Sequence, residues 1–183
     1  LKKILAVAAF VVGTIVAIGG CRAREKQPTP SPTAQTTINS FSITGSAATT
    51  DGITPIDPAI KAGEFFLSWN ISSSEPYYVA LYLSNDATLV KEDAAGNKDV
   101  EFDTLRCSTL NNFDPCTGAQ SGTRCEFTNQ NTLHCPQLNF GIPWDVDISS
   151  FLNQIPKTAN IIIEACNAPN DSCKTATVAV QFR

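Results

Sequence analysis

From residue 38 onward the apolar side chains fall on every second position, and that period limits the fold more than any other feature. Tyr77, Val79, Leu81 and Leu83 alternate with Tyr78, Ala80 and Tyr82. Phe65, Leu67, Trp69 and Ile71 form a second row, with Glu64, Ser68 and Asn70 opposite. Phe41 and Ile43 open the pattern; Ile161, Ile163 and Ala165, then Ala176, Val178, Val180 and Phe182, close it. Successive side chains of a strand point to opposite faces, so a period of two predicts sheets buried on one side. Helical spacing is confined to one turn expected near Phe151-Leu152. Short strands joined by polar, Pro- or Gly-bearing connections predict an all-β antiparallel sandwich. No internal repeat appears, and residues 37–183 suffice for one core.

The first twenty residues follow a different rule. Lys2 and Lys3 precede an uncharged, mostly apolar run from Ile4 to Ile18, and Gly19-Gly20 lead into Cys21. A basic start, a short apolar core and small residues before a cut site are the marks of a secretory signal. The run is shorter than the ~20 residues of a membrane-spanning helix. The stretch Ile18-Gly19-Gly20-Cys21 resembles the bacterial lipobox. That resemblance implies removal of residues 1–20, diacylglycerol on the Cys21 thiol and acyl chains at the new N-terminus. Each buried CH2 contributes ~0.8 kcal/mol, and two or more chains anchor a protein stably. Arg22 stands where many inner-membrane lipoproteins of Gram-negative bacteria carry Asp, which implies the outer membrane. The membrane is then one partner, through the lipid on Cys21.

With Cys21 assigned to lipid, Cys107, Cys116, Cys125, Cys135, Cys166 and Cys173 remain. An even remainder in an exported chain reads as disulfides, and six cysteines permit 15 pairings. Cys125 and Cys135 lie equidistant from Gln130, so a hairpin turning at Asn129-Gln130-Asn131 would set them opposite each other. Cys166 and Cys173 flank the turn-forming NAPNDS in the same way. The preferred set is 125–135, 166–173 and, from what is left, 107–116. Residues 21–36 carry charge, Pro, Ser and Thr without apolar periodicity. Such a stretch cannot offset its ordering entropy by burial, so an extended tether is expected.

INSFSITG, KAGEFFLSWNIS, YYVALYL and IIIEACN, followed by TATVAVQF, resemble strands of the Ig-like and fibronectin type III-like modules of bacterial exported proteins. The resemblance covers residues 37–83 and about 144–183. It implies an antiparallel two-sheet sandwich with Trp69 in its core. The chain departs from the family in lacking a corner tyrosine near Ala159. It also departs in carrying a long disulfide-rich insertion, residues 84–143, after the third strand. Its low apolar content suggests that disulfides stand in for a local core. Loops on a rigid sandwich are where binding commonly resides, so this insertion is the expected functional surface.

The chain offers little reactive chemistry. His134 is the single histidine, and neither C-x-x-C nor C-x-x-C-H occurs, so no metal or cofactor is expected. A cysteine nucleophile needs a free thiolate, which paired cysteines do not supply. GAQSG at 118–122 is not the G-x-S-x-G elbow. Asp99, Glu101 and Asp103, alternating with Val100 and Phe102, read as a solvated strand face. The net charge is −4, and without Lys2 and Lys3 the 11 basic and 17 acidic side chains leave −6, which disfavours nucleic acid. Tyr78 and Tyr82 are the candidate ligand surface. These readings predict a non-enzymatic, lipid-anchored envelope lipoprotein that binds a protein or glycan. The alternative is a structural or assembly subunit of an envelope complex; a hydrolase would need a reactive group that is not evident.

Overall fold

The computed structural model describes residues 35–183 apart from 46, 93–95, 97, 108–120, 137–142 and 168–171. The signal, Cys21, nearly all of the tether and Cys116 therefore lie outside the described residues. By chain contacts the sandwich unit runs from Thr33 to Arg183.

Among the described residues, ten strands form two five-stranded sheets. They are β1 Thr36–Thr44, β2 Ile53–Ile56, β3 Glu64–Ser73, β4 Tyr77–Ser84, β5 Val100–Cys107, β6 Ser121–Phe127, β7 Thr132–Pro136, β8 Pro143–Asp147, β9 Lys157–Asn167 and β10 Cys173–Phe182. A helical turn, α1 (Ser149–Leu152), lies where helical spacing predicts it. The first sheet has the order β1-β3-β6-β7-β8 and the second β2-β10-β9-β4-β5. All neighbours are antiparallel except β2 and β10, which run parallel. The chain leaves the edge of the first sheet after β1 and adds β2 alongside its own C-terminal strand in the second.

The alternating rows become the core. Phe65, Leu67 and Trp69 of β3 face Val79, Leu81 and Leu83 of β4 and Ile161, Ile163 and Ala165 of β9 across a common interior. Phe127 of β6 meets Phe182 of β10 edge-on, with ring centroids 4.9 Å apart, so one aromatic pair joins the sheets. Edge-to-face rings contribute about 0.5–1.5 kcal/mol beyond the area they bury. Strand β1 opens on Thr36. Its buried hydroxyl donates to Asn167 Oδ1 at 3.0 Å and ties β1 to the far end of β9.

Segment 84–143 is built into the sandwich more deeply than its composition suggests. It supplies β5 to the second sheet and β6 and β7 to the first. Phe102, Leu105, Phe127 and Leu133 all enter the main core, so disulfides supplement that core instead of replacing it. Few apolar residues are needed because each strand buries only one face.

The acidic run corrects the expectation of a solvated face. Strand β5 carries a bulge: Leu81 opposes Asp103 and Tyr82 opposes Glu101, leaving Phe102 as the extra residue. A bulge resets the alternation beyond it. Phe102 and Asp103 therefore both turn inward, and Asp103 is only 1% exposed. Glu101 stays on the outer face, where it accepts a hydrogen bond from the Thr104 hydroxyl.

Candidate functional site

The outer face of the first sheet carries an unbroken row of ionisable side chains. Strand register places Glu64 beside Glu126, Glu126 beside His134, and His134 beside Asp145, one residue from each of β3, β6, β7 and β8. Their inward neighbours explain the direction. Phe65, Cys125, Phe127, Leu133 and Cys135 are buried, so the residues between them must project to solvent. Arg124 donates to the Glu64 carboxylate across β3 and β6. His134 Nδ1 lies 2.5 Å from Asp145 Oδ1 across β7 and β8. Glu126 sits between these two pairs.

Two hollows open onto the row. The larger, about 510 Å3, lies between Glu126, His134 and Asp145 and the turn Thr128–Asn131, with Pro58 and Ala62 on its far side. The smaller, about 260 Å3, lies over Glu64, Arg124, Glu126 and His134. Glu126 and His134 line both, so the hollows form one polar surface. The turn that walls the larger hollow is held by a bond from the Thr128 amide to the Thr132 carbonyl, with Asn131 in the left-handed region. Asn tolerates that conformation better than most residues. Gly63, at φ +71°, lets the chain pass directly against the Phe127 carbonyl as it enters β3. Beside the row, Phe66 is 40% exposed and its ring lies over Gly122, where a side chain would collide with it.

The hairpin cysteines form the expected bonds. Cys125 pairs with Cys135 and Cys166 with Cys173, with Cα atoms 4.3 and 4.1 Å apart. Cys166 and Cys173 are direct cross-strand partners in β9 and β10. Cys107 is also disulfide-bonded; the expected partner, Cys116, lies outside the described residues. Five of the six domain cysteines are thus without a free thiol. Among the described residues, Glu164, Cys166 and Cys173 bring three potential metal-ligating atoms within 4.8 Å of one another. The two sulfurs are bonded to each other and supply no thiolate.

Tyr78 and Tyr82 do not form an open platform. Both lie on the outer face of the second sheet, yet Tyr82 is only 7% exposed and Tyr78 is half-buried. Leu89, from the connection after β4, packs over Ala80, Tyr82 and Ile162 beside Tyr78. Burial, reinforced by the charges of Glu101 and Glu164, pushes the Tyr82 phenol well above its ordinary range. The alternation predicted the face correctly but said nothing about what would cover it.

Asp145 and His134 were legible as residues, but their juxtaposition with Glu64 and Glu126 was not. The signal that would have found it is register. The 125–135 pairing also sets 126 opposite 134, although the position of β8 does not follow from it. Asp147, two residues beyond Asp145, is held below the ordinary carboxylate range by the Ser149 hydroxyl and backbone amide.

No protein-family model matches this sequence, and no curated protein matches it. The geometry defines the class by itself: a two-sheet, disulfide-braced β-sandwich with a polar, hollowed outer face. Its disulfides are compatible with an exported protein.

Proposed function

We propose that this protein is an exported lipoprotein, anchored to the outer membrane through lipid on Cys21, whose Ig-like sandwich is a non-enzymatic binding module. The Ig-like assignment is supported by strand order. A sheet in which β10, β9 and β4 are flanked by β2 and β5 packs against one containing β1, β3 and β6, the arrangement expected of that module with extra strands β7 and β8. The lipobox-like Ile18–Cys21 supports the anchor, and the paired cysteines support an oxidising compartment.

The observation that carries the binding reading is the hollowed row Glu64–Glu126–His134–Asp145. Its carboxylates, imidazole and neighbouring turn amides can accept and donate hydrogen bonds over four strands of one face. Such a surface suits a polar partner, either an envelope glycan or a protein segment rich in hydroxyl and basic groups. Five domain cysteines are committed to disulfides and offer no thiolate nucleophile, which supports recognition over cysteine-based turnover.

The test uses the full lipidated chain in native membranes. Photocrosslinking from position 130, in the turn that walls the larger hollow, should capture a discrete envelope partner or glycan. Glu126→Ala and Asp145→Ala should each weaken that capture at least tenfold without lowering the melting temperature. Capture unchanged in both variants would refute this face as the site. Turnover that disappears in His134→Ala would refute the non-enzymatic reading.

A further inference from the structure

The outer face of the second sheet holds a second arrangement, independent of the row described above. The chain after β4 does not return at once to the sheet. Residues 85–91 cross over the face without adding a strand to it. Asn160 Nδ2 donates to the Asn85 carbonyl at 3.5 Å, and the Thr177 hydroxyl donates to the Ala87 carbonyl at 3.1 Å. Leu89 covers Tyr82 and Ile162. The Val90 amide donates to Asp99 at 2.7 Å and closes the base of the strap.

Lys91 completes these contacts. Its Nζ lies 2.8 Å from Glu164 Oε2, an ion pair by distance though off the axis of a well-aligned hydrogen bond. The two halves of the pair are unlike. The Glu164 side chain is 5% exposed, whereas that of Lys91 is 55% exposed. The carboxylate is thus part of the sheet, and the ammonium reaches it from outside. Contact with Glu164 holds the Lys91 ammonium above its ordinary range, with further support from Tyr78 and Glu101. One phenol, Tyr78, and two carboxylates, Glu164 and Glu101, therefore act on one primary ammonium. A buried carboxylate without a counter-charge is costly, so this position favours a cation.

We infer that this position is a recognition site for a primary alkylammonium group, occupied in the resting protein by the strap's own Lys91. The incoming group is a lysine side chain of a partner or a free diamine, and it binds by displacing Lys91 and lifting the strap. The strap is suited to lifting. Its residues form no strand with the sheet, are largely exposed, and are tied down by a few side-chain contacts and by one backbone bond from the Asp99 amide to the Val90 carbonyl; segments of that kind open at low free-energy cost. Displacement exchanges one ammonium for another, so Glu164 is never left unpaired once the ligand is seated. A self-ligand also restricts the site, because weak cations must compete with a tethered one at high effective concentration.

Binding to the full lipidated chain in detergent micelles tests this, with three probes: cadaverine, a short peptide with one internal lysine, and the same peptide with that lysine acetylated. Wild-type protein should bind the lysine peptide, cadaverine or both, and should not bind the acetylated peptide. Preference between the first two identifies the source of the ammonium. Lys91→Ala removes the competitor and should tighten binding at least tenfold, and adding Glu164→Gln should abolish it. In wild type, saturating ligand should accelerate amide exchange at Ala87–Lys91. That measurement needs no variant and holds if Lys91→Ala folds poorly. Unchanged exchange overturns the inference, and so does binding by the variant alone, since the native strap would then never yield. Because the site lies on the second sheet, Glu126→Ala should leave all these results unaltered, separating this inference from the proposed function.

Discussion

Replacing Asp103 by Asn should stabilise the protein at neutral pH. Asp103 opposes Leu81 on the inner side of the bulge, is 1% exposed, and neither carboxylate oxygen has a hydrogen-bond partner. Burial raises its pKa from 3.8 to about 6, against a smaller opposing pull from the nearby Thr104 amide, and the Glu101 charge raises it further. The sign follows from proton occupancy. Between pH ~4 and ~6 the folded chain holds a proton that the unfolded chain has released. Stability is therefore highest below the unfolded value, falls as the pH rises through that window, and is level above the folded value. The gap between the two values corresponds to about 3 kcal/mol. Asn has the size of the protonated acid and cannot ionise, so Asp103→Asn should recover most of that amount at pH 7.5. At 2–4 °C per kcal/mol for a domain of this size, the melting temperature should rise by roughly 5–10 °C. The assay is thermal unfolding of wild type and variant from pH 4 to 7.5 under non-reducing conditions. The difference between the curves isolates Asp103 from the other acids. It should be near zero at pH 4 and grow until about pH 6.5. A variant no more stable than wild type at pH 7.5, or a difference independent of pH, would refute the reasoning.

The hairpin bond Cys125–Cys135 closes a short loop, so Cys125→Ala with Cys135→Ala should cost about 2–3 kcal/mol, read as the loss in denaturant midpoint relative to wild type. Gly63→Ala places a Cβ against the Phe127 carbonyl at a backbone angle that favours glycine. It should cost at least about 2 kcal/mol, measured by chemical denaturation. Phe182→Ala removes the ring that joins the sheets through Phe127 and should cost about 3–5 kcal/mol by the same measurement. Intact-mass analysis of native protein should show residues 1–20 absent and a lipid adduct on Cys21; an unmodified thiol there would refute the anchor.

Period-two alternation is a local property, and it determined by itself which residues of β1, β3, β4, β9 and β10 face inward. Trp69, Leu81, Ile163 and Phe182 are core residues on that evidence alone. Hairpin symmetry determined two disulfides for the same reason, since opposite positions around a short turn are set by counting. Counting fails where a residue is inserted. Asp103 shares the sequence pattern of Glu101, yet the bulge at Phe102 turns it into the core, and only the pairing of β5 with β4 decides that. Covering is equally non-local. Tyr82 lies on the predicted face, but the strap covers it through Leu89. The row Glu64–Glu126–His134–Asp145 draws on four strands spread over more than eighty residues. No spacing rule joins them, because which strands become neighbours is settled by closing the sandwich around one shared core. Side-chain direction is fixed residue by residue along the chain, whereas adjacency is fixed by the packing of the whole domain.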